Sequence, residues 1–149
     1  MLTATPAPTL ATARPRAFVR WTAEPGAATV PLIRSRVRAV LDDWRVTADL
    51  ADVLLLAVSE LAGNVVLHAY APRRMRVAVI LREGWLHLEV ADESRTPPRP
   101  LLPRPPVDPN AESGRGLLIV ELMAAEAGGE LTCGGGEFGH HFAVRVPVA

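Results

Sequence analysis

Glu60, Asn64 and His68 recur four residues apart inside an otherwise apolar run, Glu60-Leu61-Ala62-Gly63-Asn64-Val65-Val66-Leu67-His68. At ~100° per residue, positions four apart sit about 40° apart, so a carboxylate, a carboxamide and an imidazole project along one edge of a helix. A buried helix face excludes an amide unless the amide has a partner. The amide oxygen of Asn64 suits a hard divalent ion, because it coordinates without adding charge and such an ion on phosphates keeps several waters. Glu60, one turn earlier, is placed to orient or deprotonate a hydroxyl attacking a terminal phosphate. Downstream, Asp92 ends a strand-like run and Ser113-Gly114-Arg115-Gly116 opens another apolar segment. Asp92 suits an exocyclic amine such as that of adenine. Gly114 and Gly116 permit close backbone approach, the helix after them points its N–H groups at what sits there, and Arg115 adds a charge-assisted contact to phosphate. Together these signals suggest a nucleotide and its metal ion held between a helical layer and a sheet.

Each residue also has a plainer reading. Glu60 alone is a solvated helix carboxylate, Asn64 an amide satisfying a loop carbonyl, Asp92 a turn former, and His68 a structural residue packing at the helix end. The order of the three signals, at the ends of elements bounding one cleft, is what gives them joint weight.

The elements that position them follow from periodicity. Ala17 to Thr22 alternates loosely and reads as an edge strand. Thr29 followed by Pro31 resembles a helix start with a cap; Ile33, Val37, Val40, Leu41 and Trp44 then recur at helical spacing. Arg34 and Arg38 on that helix read as a solvated face or a protein interface. A second helix, capped by Thr47, has Leu50, Val53, Leu54, Ala57, Leu61, Val65 and His68 as its inner stripe and should end near Tyr70, because Pro72 disfavours helix at Ala71. Met75 to Arg82 and Trp85 to Asp92 form a hairpin about Glu83-Gly84. In its second strand Leu86, Leu88 and Val90 share one face with Asp92, and Trp85, His87 and Glu89 share the other. Thr96 to Pro109 holds seven prolines and is a loop long enough to need a functional cause, here a lid over about 93–113. A third helix spans Gly116 to about Ala125, and Glu130 to Cys133 pairs with His141 to Val148 around Gly134-Gly135-Gly136. This order predicts an α+β, two-layer sandwich: a mixed, mostly antiparallel sheet with three helices on one face.

With 149 residues the chain is one domain, 17–149, after an N-terminal tail, 1–16, that reads as disordered. Formal net charge is +0, which argues against bulk attraction to nucleic acid or an anionic membrane. All 16 basic residues are Arg and none is Lys, so P-loop lysine and Schiff-base chemistry are excluded, and phosphate must be met by Arg, backbone N–H, a helix N-terminus or a metal. The single cysteine, Cys133, excludes an intrachain disulfide and a cysteine zinc site. No apolar run is expected to approach the ~20 residues of a bilayer span, and a cytoplasmic protein is expected.

The three motifs carry a specific likeness. The chain resembles the anti-sigma regulatory factor branch of the GHKL, or histidine-kinase-like, ATPases. Ser59 to Ala69 resembles that family's first motif, which implies Glu60 as catalytic base and Asn64 as the Mg2+ ligand. Val90-Ala91-Asp92-Glu93-Ser94 resembles its second, which implies Asp92 as the adenine contact. Gly114-Arg115-Gly116-Leu117 resembles its third, at the phosphate end of the lid. Ser94 stands where the family usually has Gly. Gly139-His140-His141 stands where a Gly-Lys-Thr or Gly-Thr is common, so that His141 would support Asp92 through a ring nitrogen and a cationic His140 would stand in for Lys. The resemblance covers roughly Ala17 to Val146. It implies a serine/threonine kinase that binds ATP and Mg2+, sequesters a sigma factor and phosphorylates an antagonist protein; a homodimer is open, and no direct contact with nucleic acid or membrane is expected. The alternative readings are a non-catalytic module in which ATP orders the lid for a protein partner, and an α/β adaptor with no ligand.

Overall fold

In the computed structural model, residues 17–68, 74–93, 112–136 and 139–148 are described. The expected N-terminal tail, the helix end at Tyr70, most of the lid and Ser94 lie outside them. The element order is β1 (Ala17–Ala23), α1 (Thr29–Asp43), α2 (Ala48–His68), β2 (Arg74–Arg82), β3 (Trp85–Glu93), α3 (Glu112–Glu126), β4 (Glu130–Gly136) and β5 (Gly139–Pro147).

The five strands form one sheet in the order β1-β2-β3-β5-β4. Every pair is antiparallel, so the sheet is not mixed. The β2–β3 turn has Glu83 at φ 51° and Gly84 at φ 80°, the doubly left-handed backbone whose twist matches that of the flanking strands. The Val148 N–H donates to the Gly84 carbonyl at 2.7 Å and ties the end of β5 to that turn.

Cross-strand partners share a face, so the register sorts the sheet. Met75, Val77 and Val79 of β2, Leu86, Leu88 and Val90 of β3, and Val144 and Val146 of β5 are fully buried in one core with the helices. All three helices contribute to that core: Ile33, Val37 and Leu41 from α1, Leu54 and Leu61 from α2, Val120 and Ala124 from α3. α2 is the central helix. Its buried face includes Leu55, Val58 and Ala62 beyond the expected stripe, because α1 flanks it on one side and α3 on the other. Contrary to the sequence expectation, Ala48–Leu67 is long and apolar enough by length and composition to cross a membrane. A helix enclosed by a sheet and two neighbours is apolar over most of its circumference for the same reason a spanning helix is.

Three local expectations are corrected. Thr29 is the first residue of α1, not its cap: Ala28 occupies the cap position, with no side-chain hydrogen bond, and the Thr29 hydroxyl donates to the Glu24 carbonyl at 2.8 Å. α3 begins at Glu112 and not at Gly116, so Gly114 and Arg115 lie within the helix rather than before it. Gly134, Gly135 and Gly136 belong to β4, paired with His141, His140 and Gly139, so the hairpin turns farther along the chain.

Candidate functional site

Asp92 is the one polar side chain buried among the described residues, at 7 % exposure. It extends the helix-facing row Leu86, Leu88, Val90 of β3, opposite Met75. A carboxylate there must be held by donors or remain costly. Its position along the strand is as informative as its face. β3 ends where β2 begins, with Arg74 opposite Glu93, and β2 follows α2 after residues 69–73. Asp92 and the C-terminal turns of α2, which carry Asn64, therefore lie at the same end of the two layers and on the same side of the sheet.

Along α2, Glu60 and Asn64 are half-buried one turn apart. The preceding Ser59 donates to the Leu55 carbonyl at 2.9 Å and is satisfied within its own helix. Glu60 has a specific neighbour. A Cβ placed on Gly116 would overlap the Glu60 side chain, its Oε2 and Cδ foremost. Gly116 is buried, and its missing side chain is what lets the carboxylate lie against α3. The first and third sequence signals therefore meet in space. The backbone N–H groups of the first turn of α3, Glu112 to Arg115, have no intrahelical acceptors and carry the positive end of the helix dipole. Leu117 is half-buried and packs on the core.

His141 is not brought to Asp92. It pairs with Ala91 across β3–β5, which puts it on the sheet face away from the helices. There its side chain hydrogen-bonds Glu89 and holds that carboxyl below its ordinary range, against the opposing effect of burial. His87, on the same face, has its pKa lowered by burial, with Arg82 and Arg145 adding to the effect and Glu89 opposing it. Arg145 lies 4.6 Å from the centre of the Trp85 ring and bonds Glu130 at 2.8 Å. The open face thus carries its own polar network, which sequence reasoning missed; the register of β5 was the missing signal. His140 pairs with Gly135.

These residues fit a nucleotide with a metal. The described residues hold no group of three or more His, Cys, Asp or Glu able to ligate an ion. A divalent ion here would take Asn64, phosphate oxygens and water, the donor set such an ion prefers when bound through phosphate. The glycine at 116 leaves room for Glu60, and the open end of α3 offers N–H groups to an anion.

Comparison with known proteins gives the family and the fold. Residues 22–135 match the histidine kinase-like ATPase domain family, and the chain belongs to that family. Among solved structures, the fold is similar to the histidine kinase domain of the blue-light activated histidine kinase from Erythrobacter litoralis EL346, with TM-score 0.56 and 22 % identity over 81 % of this chain. The match spans 60 % of that chain's length. No curated protein matches the sequence. The class is therefore an ATPase domain of the histidine-kinase-like type on an antiparallel α+β scaffold.

Proposed function

We propose that the chain is an ATP-dependent regulator of the anti-sigma type, which binds Mg-ATP and transfers a phosphoryl group to a Ser or Thr hydroxyl of an antagonist protein. The observation that carries this reading is the Glu60 carboxylate lodged against Gly116, which unites a base candidate with the helix whose N-terminus suits phosphate. In the proposed step the acceptor hydroxyl gives its proton to Glu60 as its oxygen bonds the γ-phosphorus. The bond to the bridging oxygen breaks, and ADP leaves. Asn64 would hold the metal, Asp92 the adenine amine, and Gly114, Arg115, Gly116 and Leu117 the phosphate end. Binding of a sigma factor belongs to the same reading and draws its support from the motif resemblance.

A non-catalytic, ATP-responsive module is the second reading. It is favoured by His141, which faces Glu89 on the other side of the sheet and not Asp92, the partner that the motif resemblance implied for it. Glu60→Gln separates the two. The kinase reading expects Mg-ATP affinity within about a factor of two of wild type and phosphoryl transfer down by ~10²-fold or more. Equal transfer in both proteins would remove Glu60 from the chemistry. An absence of heat on titrating wild type with Mg-ATP would remove both readings.

A further inference from the structure

A cavity of about 210 Å³ lies between the last turns of α1 and the first turns of α2. Its floor is apolar, with Leu41 and Leu55 buried and Val46 half-buried. Its rim is charged, since the exposed Arg38, Asp42 and Asp52 also line it. The connection between the two helices is fixed by its own backbone. The Arg45 N–H donates to the Asp42 carbonyl and the Val46 N–H to the Leu41 carbonyl, both at 3.0 Å, the pairing by which a left-handed residue closes a helix. Arg45 is that residue, at φ 55°. The Ala51 N–H donates to the Thr47 carbonyl at 2.9 Å as α2 begins, so both ends of the connection are tied and Val46 is held at the cavity. Asp52 precedes Asn64 by 12 residues, about 18 Å of helix. The cavity therefore stands at the far end of α2 from the nucleotide site.

We infer that this cavity binds a free α-amino acid with a short aliphatic side chain. Charge selects a zwitterion. Arg38 and Asp42 stand one turn apart in the order that pairs less well, cation first, and among the described residues no ion pair joins Arg38, Asp42 and Asp52. One guanidinium and two carboxylates thus share one space without neutralising each other. A cation alone would be opposed by Arg38, and an anion alone by two carboxylates. A zwitterion meets both: its carboxylate takes the paired N–H donors of Arg38, and its ammonium lies against Asp42 and Asp52. Size sets the rest. Drug-sized ligands fill roughly 300–1,000 Å³, whereas this cavity holds the equivalent of about seven waters at ~30 Å³ each. That is room for a small side chain over Leu41, Val46 and Leu55, where its apolar surface leaves water, and not for a nucleotide.

The test follows backbone amide shifts of the full chain by two-dimensional NMR as L-valine is added. Isobutylamine and isovalerate supply the same skeleton without the carboxylate and without the ammonium. L-Valine is expected to move the Val46, Ala51 and Asp52 signals saturably, with a Kd on the order of 1 mM for so few atoms. Each truncated ligand should bind about tenfold more weakly, the loss of one charge-assisted contact. Arg38→Met should weaken L-valine about tenfold and abolish its advantage over isobutylamine. Asp42→Asn with Asp52→Asn should abolish its advantage over isovalerate. All three side chains are exposed, so these variants keep the fold. No saturable shift at tens of millimolar, shifts confined to residues away from the cavity, or variants that retain wild-type discrimination would each overturn the assignment. Isobutylamine binding wild type as tightly as L-valine would also overturn it, leaving a site for cations alone, such as a partner's lysine. Mg-ATP takes no part in these titrations, so their result stands apart from the nucleotide reading.

Discussion

Gly116→Ala separates the position of a side chain from the stability of the fold. The added methyl would occupy the space of the Glu60 carboxylate, and the atoms it meets are the far end of a flexible side chain, not backbone. The cheapest response is for Glu60 to leave its rotamer, at ~0.5–1.5 kcal/mol. Against that, Ala gains ~1 kcal/mol over Gly within a helix. The two nearly cancel, so the melting temperature should stay within about 4 °C of wild type, given ~2–4 °C per kcal/mol for a domain near this size. Catalysis should not be spared. A carboxylate displaced by ~1 Å loses on the order of 10²-fold, or ~2.7 kcal/mol of barrier. The assay is single-turnover consumption of saturating Mg-ATP, with affinity measured separately and unfolding followed by circular dichroism. Wild-type turnover at an unchanged melting temperature would refute the idea that Glu60 must lie against α3. A fall of more than about 8 °C would show that the helices yield and not the side chain.

Other substitutions probe the remaining placements. Asp92→Asn should weaken ATP by ~1–3 kcal/mol and leave GTP nearly unchanged, because the amide cannot reproduce a charged acceptor for an amine; competitive titration with the two nucleotides checks this. Gly129→Ala should destabilise by ~1–3 kcal/mol or more, since the new methyl would strike the Arg145 carbonyl in the backbone of β5, and a denaturant midpoint reads the cost. His141→Ala should return the Glu89 pKa upward, seen in carboxyl carbon chemical shifts, because the hydrogen bond that lowers it is gone. The sign for stability follows. A carboxyl held low in the fold stabilises above its unfolded pKa and ceases to do so as pH falls through its folded value. His87, also lowered, acts at higher pH: the unfolded chain binds its proton first, so stability declines on acidification from about its ordinary 6.5. Wild type should therefore lose stability in two acid steps, and the His141→Ala variant should lose most of the lower one.

The elements whose face is set by short-range alternation were legible. Leu86, Leu88, Val90 and Asp92 fall on one side of β3 because side chains alternate regardless of what lies beyond the strand. The inner stripe of α2 was legible in the same way. The face of His141 was not. It depends on where the last hairpin turns, and a slip of one residue moves every side chain to the other surface. Gly134, Gly135 and Gly136 are drawn into β4 by pairing with β5, a tertiary preference that overrides their local one for a turn. The start of α3 was misplaced for a related reason. Gly114 and Gly116 weaken a helix locally, yet Gly116 is tolerated because a bulkier residue there would displace Glu60. The sequence marked Gly116 as a place of close approach, but not that the approaching group is the protein's own carboxylate.

The strand order β1-β2-β3-β5-β4 has a further consequence. The chain from β1 to β3 closes a first half with α1 and α2; α3, β4 and β5 make a second, joined to the first along β3–β5 and α2–α3. Glu60 and Gly116 meet across that seam. Subglobal opening of the second half would part them while leaving Asp92 in place, so the candidate site would lose its geometry without global unfolding. A ligand spanning the seam would act as a clasp, and its protection against amide exchange should concentrate in β5 and the inner turns of α3.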